Sequence, residues 1–138
     1  MGKIVVDRGL EEYTIEDKNG TVLGKFEMNP ADMEMVKRYE HVADAVAHIA
    51  DDVDESKDIV DILAEMEEKL NKQIDFLFNS KVSQSFFSIT SPFTVLTNGE
   101  FFVENVLNAI GGLIEAETGK RFKKVQTKID KYASKYHK

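Results

Sequence analysis

The 138-residue chain contains no cysteine and no tryptophan, only two prolines and only three histidines. Without cysteine there can be no disulfide, iron–sulfur cluster, thiol nucleophile or zinc-thiolate site. A cytoplasmic protein is the expectation, although this absence excludes an extracellular one only weakly. Long hydrophobic runs are missing too: no segment approaches the about 20 apolar residues that span a bilayer. At the N-terminus, MGKIVVDRGLEEY meets acidic residues before a secretory core can form. Val6 stands where a myristoylation signal needs Ser or Thr. A soluble protein that stays where it is made is therefore expected. Internal repeats and low-complexity segments are also absent.

What is present is an ordinary globular mixture, 42% hydrophobic and 31% charged, which at this length suggests a single domain, 1–138, with its own core. The net charge of −7 hides an asymmetry. Residues 119–138 hold eight Lys/Arg against Asp130 alone, a local +7, which leaves −14 for residues 1–118. An acidic body with a basic tail suits nucleic-acid binding, and equally a tail packed on its own body or on a neighbouring copy.

The order of local signals predicts a mainly α fold: an N-terminal β-hairpin followed by about four helices in a bundle-like arrangement. Tyr13-Thr14-Ile15 alternates as a strand does, Asp17-Lys18-Asn19-Gly20 supplies a turn, and Thr21 to Met28 resumes the alternation, giving a hairpin within 1–28. Asn29-Pro30-Ala31-Asp32 reads as a helix start, with Asn29 as cap, Pro30 at the first helical position and Asp32 favourable to the dipole. Over 29–80 two long antiparallel helices follow. One carries Met35, Tyr39, Val42, Val46, Ile49 and Val53 through about position 52; the other, from about Ser56, carries Ile59, Leu63, Met66, Leu70, Ile74 and Leu77. Residues 81–97 form an apolar connector, and 98–136 hold two more helices. Thr97-Asn98-Gly99-Glu100 has capping-box spacing for the first of these and Thr118-Gly119 supplies its stop. The last, basic helix carries Phe122, Val125, Ile129, Tyr132 and Tyr136 on one stripe.

Catalytic constellations are not evident. His41, Asp44, His48 and Asp52 can be drawn as a metal site, but seven residues of helix separate the two imidazoles by roughly 10 Å, too far for one ion. Asp51/Asp52 and Glu67/Glu68 are adjacent pairs that point apart on a helix and do not converge on a substrate atom. Gly111-Gly112 lies inside a helical pattern without the Lys-Thr/Ser of a phosphate loop, and reads as a site of close helix approach or a kink. No enzyme activity, metal or cofactor is expected.

The connector carries the strongest apolar signal. Phe86, Phe87, Ile89, Phe93, Val95 and Leu96 would expose a large patch if the segment were a solvated loop. They either fold over the helices as a lid, the favoured reading for most of them, or grip a client. The basic candidates are Lys120, Arg121, Lys123, Lys124, Lys128 and Lys131, for contact with a neighbouring copy or with nucleic acid. Nucleic acid is disfavoured, because nearly all these cations are lysine rather than the arginine used for base readout, and because the same helix has an apolar stripe to bury.

The run YTIEDKNGTVLGKFEMNPADMEMVKRYE, together with GEFFVENVLNAIGGLIEAETGKRFKKVQTKIDKYASKYHK, resembles a family of small prophage proteins of Gram-positive bacteria, the phage tail assembly chaperones. Phe26-x-x-Asn29-Pro30-x-Asp32 and Glu117-Thr118-Gly119-Lys120-Arg121 are its most recognisable points. The resemblance implies a largely helical, self-associating, non-enzymatic protein. Its partner would be the long hydrophobic tape measure protein, kept soluble in the host cytoplasm until tail tube subunits polymerise around it. It assigns no role to individual residues. The alternative function is a nucleic-acid-binding accessory protein acting through the basic segment.

Overall fold

The computed structural model describes residues 1–136, with side chains through Gly119. Two strands, β1 (Glu11–Glu16) and β2 (Val22–Met28), precede four helices: α1 (Met33–Ala47), α2 (Ile59–Phe78), α3 (Ser83–Phe87) and α4 (Phe102–Tyr136). About half of the chain is helical, and the hairpin makes the fold α-rich rather than strictly all-helical.

The hairpin forms where alternation predicts it, with β1 and β2 antiparallel and Tyr13 opposite Phe26. Those rings stack at 5.5 Å. The turn is wider than an Asn-Gly two-residue turn. Asp17 closes it, its carboxylate accepting from the amides of Asn19 (2.8 Å) and Thr21 (3.0 Å). Only Gly20 takes a positive φ there, +83°. On the inner face Ile15, Phe26 and Met28 meet the helices, and Phe26 packs on Phe78 and Phe86 at 5.5 and 5.1 Å. A hairpin this small gains its stability from that contact.

Helix α1 begins three residues later than Asn29-Pro30 suggests. Asp32, in extended conformation, is the cap and accepts from the Glu34 amide at 3.0 Å. Asn29 instead builds the preceding turn, its side-chain oxygen taking the Ala31 amide at 3.0 Å. Helices α1 and α2 are antiparallel: near the start of α1, Arg38 Nε donates to the carbonyl of Leu77 at the end of α2, and His41 meets Phe76 edge-on. Asn79 ends α2 in the left-handed conformation, φ 51°. From there Asp75 reaches forward to accept the Ser83 amide at 2.8 Å, which ties down α3.

Two expectations are overturned in the last third. The Thr97–Glu100 spacing is not a capping box. Residues 96–100 fold back as a tight loop, the Leu96 amide donating to Glu100 O at 2.8 Å, with Val95 bridged to Phe101. Helix α4 starts at Phe102, and its first turn is closed by Glu104, whose carboxylate accepts the Phe101 amide at 3.1 Å. Nor does Thr118-Gly119 stop the helix: α4 runs through Gly119 to Tyr136, so the two expected helices are one. Glycine ends a helix only where the chain turns left-handed. Thr118 is buried in mid-helix, and the Lys/Arg-rich sequence after it favours helix.

The core is centred on Val42, Leu70, Ile74, Leu77, Val103 and Ile110, all with essentially no exposed surface. It joins the middle of α1, the C-terminal half of α2 and the N-terminal half of α4. Gly111 permits the α1–α4 contact, because a Cβ there would strike the Tyr39 hydroxyl and lie 2.8 Å from Cζ. The close approach expected of Gly111-Gly112 thus belongs to Gly111 alone; Gly112 faces open space.

Candidate binding grooves

The apolar stripes of α1, α2 and α4 are longer than the core that covers them. On α2, Leu70, Ile74 and Leu77 are buried, yet Ile59 and Leu63 on the same stripe are exposed. The uncovered ends create two grooves, one on each side of α4.

The first, of about 700 Å³, is walled by helices. Tyr39, Val46 and the following Ile49 contribute from the α1 side, Leu63 and Met66 from α2, Val103 and Leu107 from α4, and Phe93 with Phe101 close one end. Leu63 is 37% exposed and Phe101 41%. The Phe93 and Phe101 rings meet edge-to-face at 5.9 Å and hold each other in place. Polar groups here are few: Glu104 and Asn108 on the rim. Tyr39 spends its hydroxyl on the Leu107 carbonyl at 2.8 Å, and burial raises its phenol above the ordinary value.

The second groove, of about 720 Å³, lies between the hairpin and the opposite side of α4. Residues 13–18 of the hairpin form one wall, Phe102, Val106, Ile110 and Leu113 the other, and Ile89, Val95 and Leu96 the end. Glu100 fastens that end to α4, its carboxylate accepting from Asn105 Nδ2 at 3.1 Å. Hydrogen bonding with Asn98 and then Asn105 holds the Glu100 carboxyl below its usual value.

The six connector candidates therefore do not form one surface. Phe86 is core, 5% exposed against Phe26 and Phe78, and has no surface to give a client. Phe87 is half-buried against Phe102, at 6.3 Å, and faces a small polar cleft where the Ser91 hydroxyl donates to Glu67. Phe93 lines the helical groove, whereas Ile89, Val95 and Leu96 line the hairpin groove, Val95 being 64% exposed. Sequence reasoning missed Leu63 as surface, because its place on the apolar stripe of α2 read as core, and it did not single out Phe101 or Leu113. The usable signal lay in stripe length: six apolar positions over about five turns of α2 exceed what about four turns of α1 can cover.

His41 lies against Phe76, while His48 Nδ1 is 2.9 Å from the Asp44 carbonyl and 3.5 Å from its carboxylate. Among the described residues no three His, Asp or Glu side chains are grouped to hold a metal ion. No described helix is long and apolar enough to cross a membrane. Lys120, Arg121, Lys123, Lys124, Lys128 and Lys131 lie outside the residues whose side chains are described; α4 passes through their backbone.

No protein-family model matches the chain, and comparison with curated proteins and with solved structures likewise gives no match.

Proposed function

We propose that the protein is a non-enzymatic binding protein that holds an apolar helix, and specifically a phage tail assembly chaperone whose client is the tape measure protein in the bacterial cytoplasm. The helix-walled groove is the observation that carries this reading. Its lining is apolar from Tyr39 to Leu107, its polar groups sit on the rim, and two of its lining residues, Leu63 and Phe101, are partly exposed. An amphipathic helix laid into such a groove buries its apolar face by the common helix-in-groove mode. Burying the remaining surface of Leu63 and of Phe101, at 37% and 41% exposure, is worth roughly 1 kcal/mol each, so reversible capture takes several such contacts together. The sequence resemblance supplies the client's identity, and with it self-association, the acidic body of one copy facing the basic segment of another.

Co-expression tests the proposal. A tape measure protein co-expressed with this chain should be soluble with the native protein and insoluble with Leu63→Asp/Phe101→Asp, while the variant itself remains folded by circular dichroism. Equal client solubility with both would overturn the groove, and a client indifferent to the native protein would overturn the chaperone reading.

A further inference from the structure

We propose that residues 2–7 form a strand that pairs with the open edge of β1 in a second copy of this chain, with Ile4 and Val6 filling that copy's hairpin groove. Three consecutive β-branched residues, Ile4, Val5 and Val6, stand 89%, 87% and 69% exposed. Such residues favour a strand, and among the described residues no strand pairs with them. Six extended residues reach about 20 Å, the length of the six-residue β1.

The receiving site is equally incomplete. Among the described residues the sheet has two strands, so β1 has one edge without a strand beside it. Along β1 the groove is lined by consecutive residues, Tyr13 to Glu16, together with the turn residues Asp17 and Lys18 and with Leu23 and Phe26 of β2. Residues from both faces of β1 reach the groove, so it runs along the free edge of that strand, where open backbone groups accept an added strand.

The root of the arm directs it away from its own β1. Closing in cis would make a hairpin through Gly9-Leu10, with Arg8 and Glu11 as the closing pair. Instead the Arg8 carbonyl accepts from Asn29 Nδ2 at 3.2 Å, and the Gly9 amide donates to Asp7 at 2.8 Å. Gly9 holds φ at +66°, and a Cβ there would lie 2.6 Å from Asn29 Nδ2, so Asn29 grips a backbone that only glycine fits.

An antiparallel register that sets Val5 against Thr14 also sets Ile4 against Ile15, Val6 against Tyr13, Lys3 against Glu16 and Arg8 against Glu11. Tyr13 and Ile15 face inward, so Ile4 and Val6 do as well. Apolar meets apolar, and the basic residues of the arm meet acids of β1. The one like-charged pair is Asp7 with Glu12, and Glu12 already holds Lys25 at 3.6 Å. Reciprocal exchange closes a two-fold dimer. This contact does not depend on what the helical groove binds.

The native chain has no cysteine, so engineered disulfides are unambiguous. Full-length Val5→Cys and full-length Thr14→Cys chains are mixed and mildly oxidised, and the linked species identified by mass spectrometry. The expected product is the mixed Val5→Cys/Thr14→Cys dimer, several-fold above either homodimer. A mixed dimer no more abundant than the homodimers would overturn the proposal, as would a double variant that oxidises only within one chain. In sedimentation, Ile4→Asp/Val6→Asp should convert the native dimer to monomer with unchanged helix content. A variant that stays dimeric, or a native chain that is monomeric, would also overturn it.

Discussion

The hydroxyl of Tyr39 on α1 donates to the carbonyl of Leu107 on α4 at 2.8 Å, across space that a side chain on Gly111 would occupy. One absent methyl group thus sets how closely the two helices approach, and Tyr39 forms part of the floor of the helical groove.

Alanine substitution at the adjacent glycines should therefore have opposite signs. Gly112→Ala meets nothing within 4 Å and removes a flexible residue from a helix interior, so it should stabilise by about 0.5–1 kcal/mol. Gly111→Ala forces Tyr39 aside and breaks its hydrogen bond, for a net loss of about 1–2 kcal/mol. Urea unfolding of the two variants beside the native protein measures both.

The connector separates by burial. Phe86→Ala leaves a cavity among Phe26 and Phe78 and should cost about 3–5 kcal/mol. Val95→Ser, at an exposed position, should stay within about 0.5 kcal/mol. If thermal unfolding showed comparable losses for both, the assignment of Phe86 to the core and Val95 to the groove mouth would be wrong.

His48 should give the end of α1 a pH dependence. Its hydrogen bond to Asp44, then the Asp44 and Asp51 charges, raise its pKa above the ordinary value. A group whose folded pKa is raised favours the folded state most when protonated. Its contribution is full below about pH 6.5, the unfolded value, and fades as pH rises through the folded pKa. An NMR titration should place the His48 midpoint above 6.5, and His48→Gln should flatten the stability profile across that window. Salt at 1 M should lower the midpoint, since it screens the two aspartates.

Chain sequence alone was sufficient for the existence and order of the hairpin and of the two helices that follow it, because alternation and helical periodicity act locally. It was not sufficient for the helix ends, α1 running from Met33 to Ala47 rather than from Pro30 to about position 52. Asp17 and Gly20 carry their turn within five residues, and Asn79 ends α2 on its own backbone. Periodicity also identified the apolar stripe of α2. It could not say where along that stripe cover runs out, since burial depends on how far α1 and α4 extend beside it. Leu63 and Leu70 look alike in sequence; one is groove and the other core.

The same limit explains the last third of the molecule. Thr97–Glu100 and Thr118-Gly119 are signals that act only if the backbone adopts a cap geometry. Here the Val95–Phe101 bridge absorbs the first, and α4 continues through the second. The apolar connector was visible in the sequence as a surplus of phenylalanine. Tertiary structure divided it among the core, the helical groove and the hairpin groove, because each ring goes to whichever element stands beside it, and those elements lie far away along the chain.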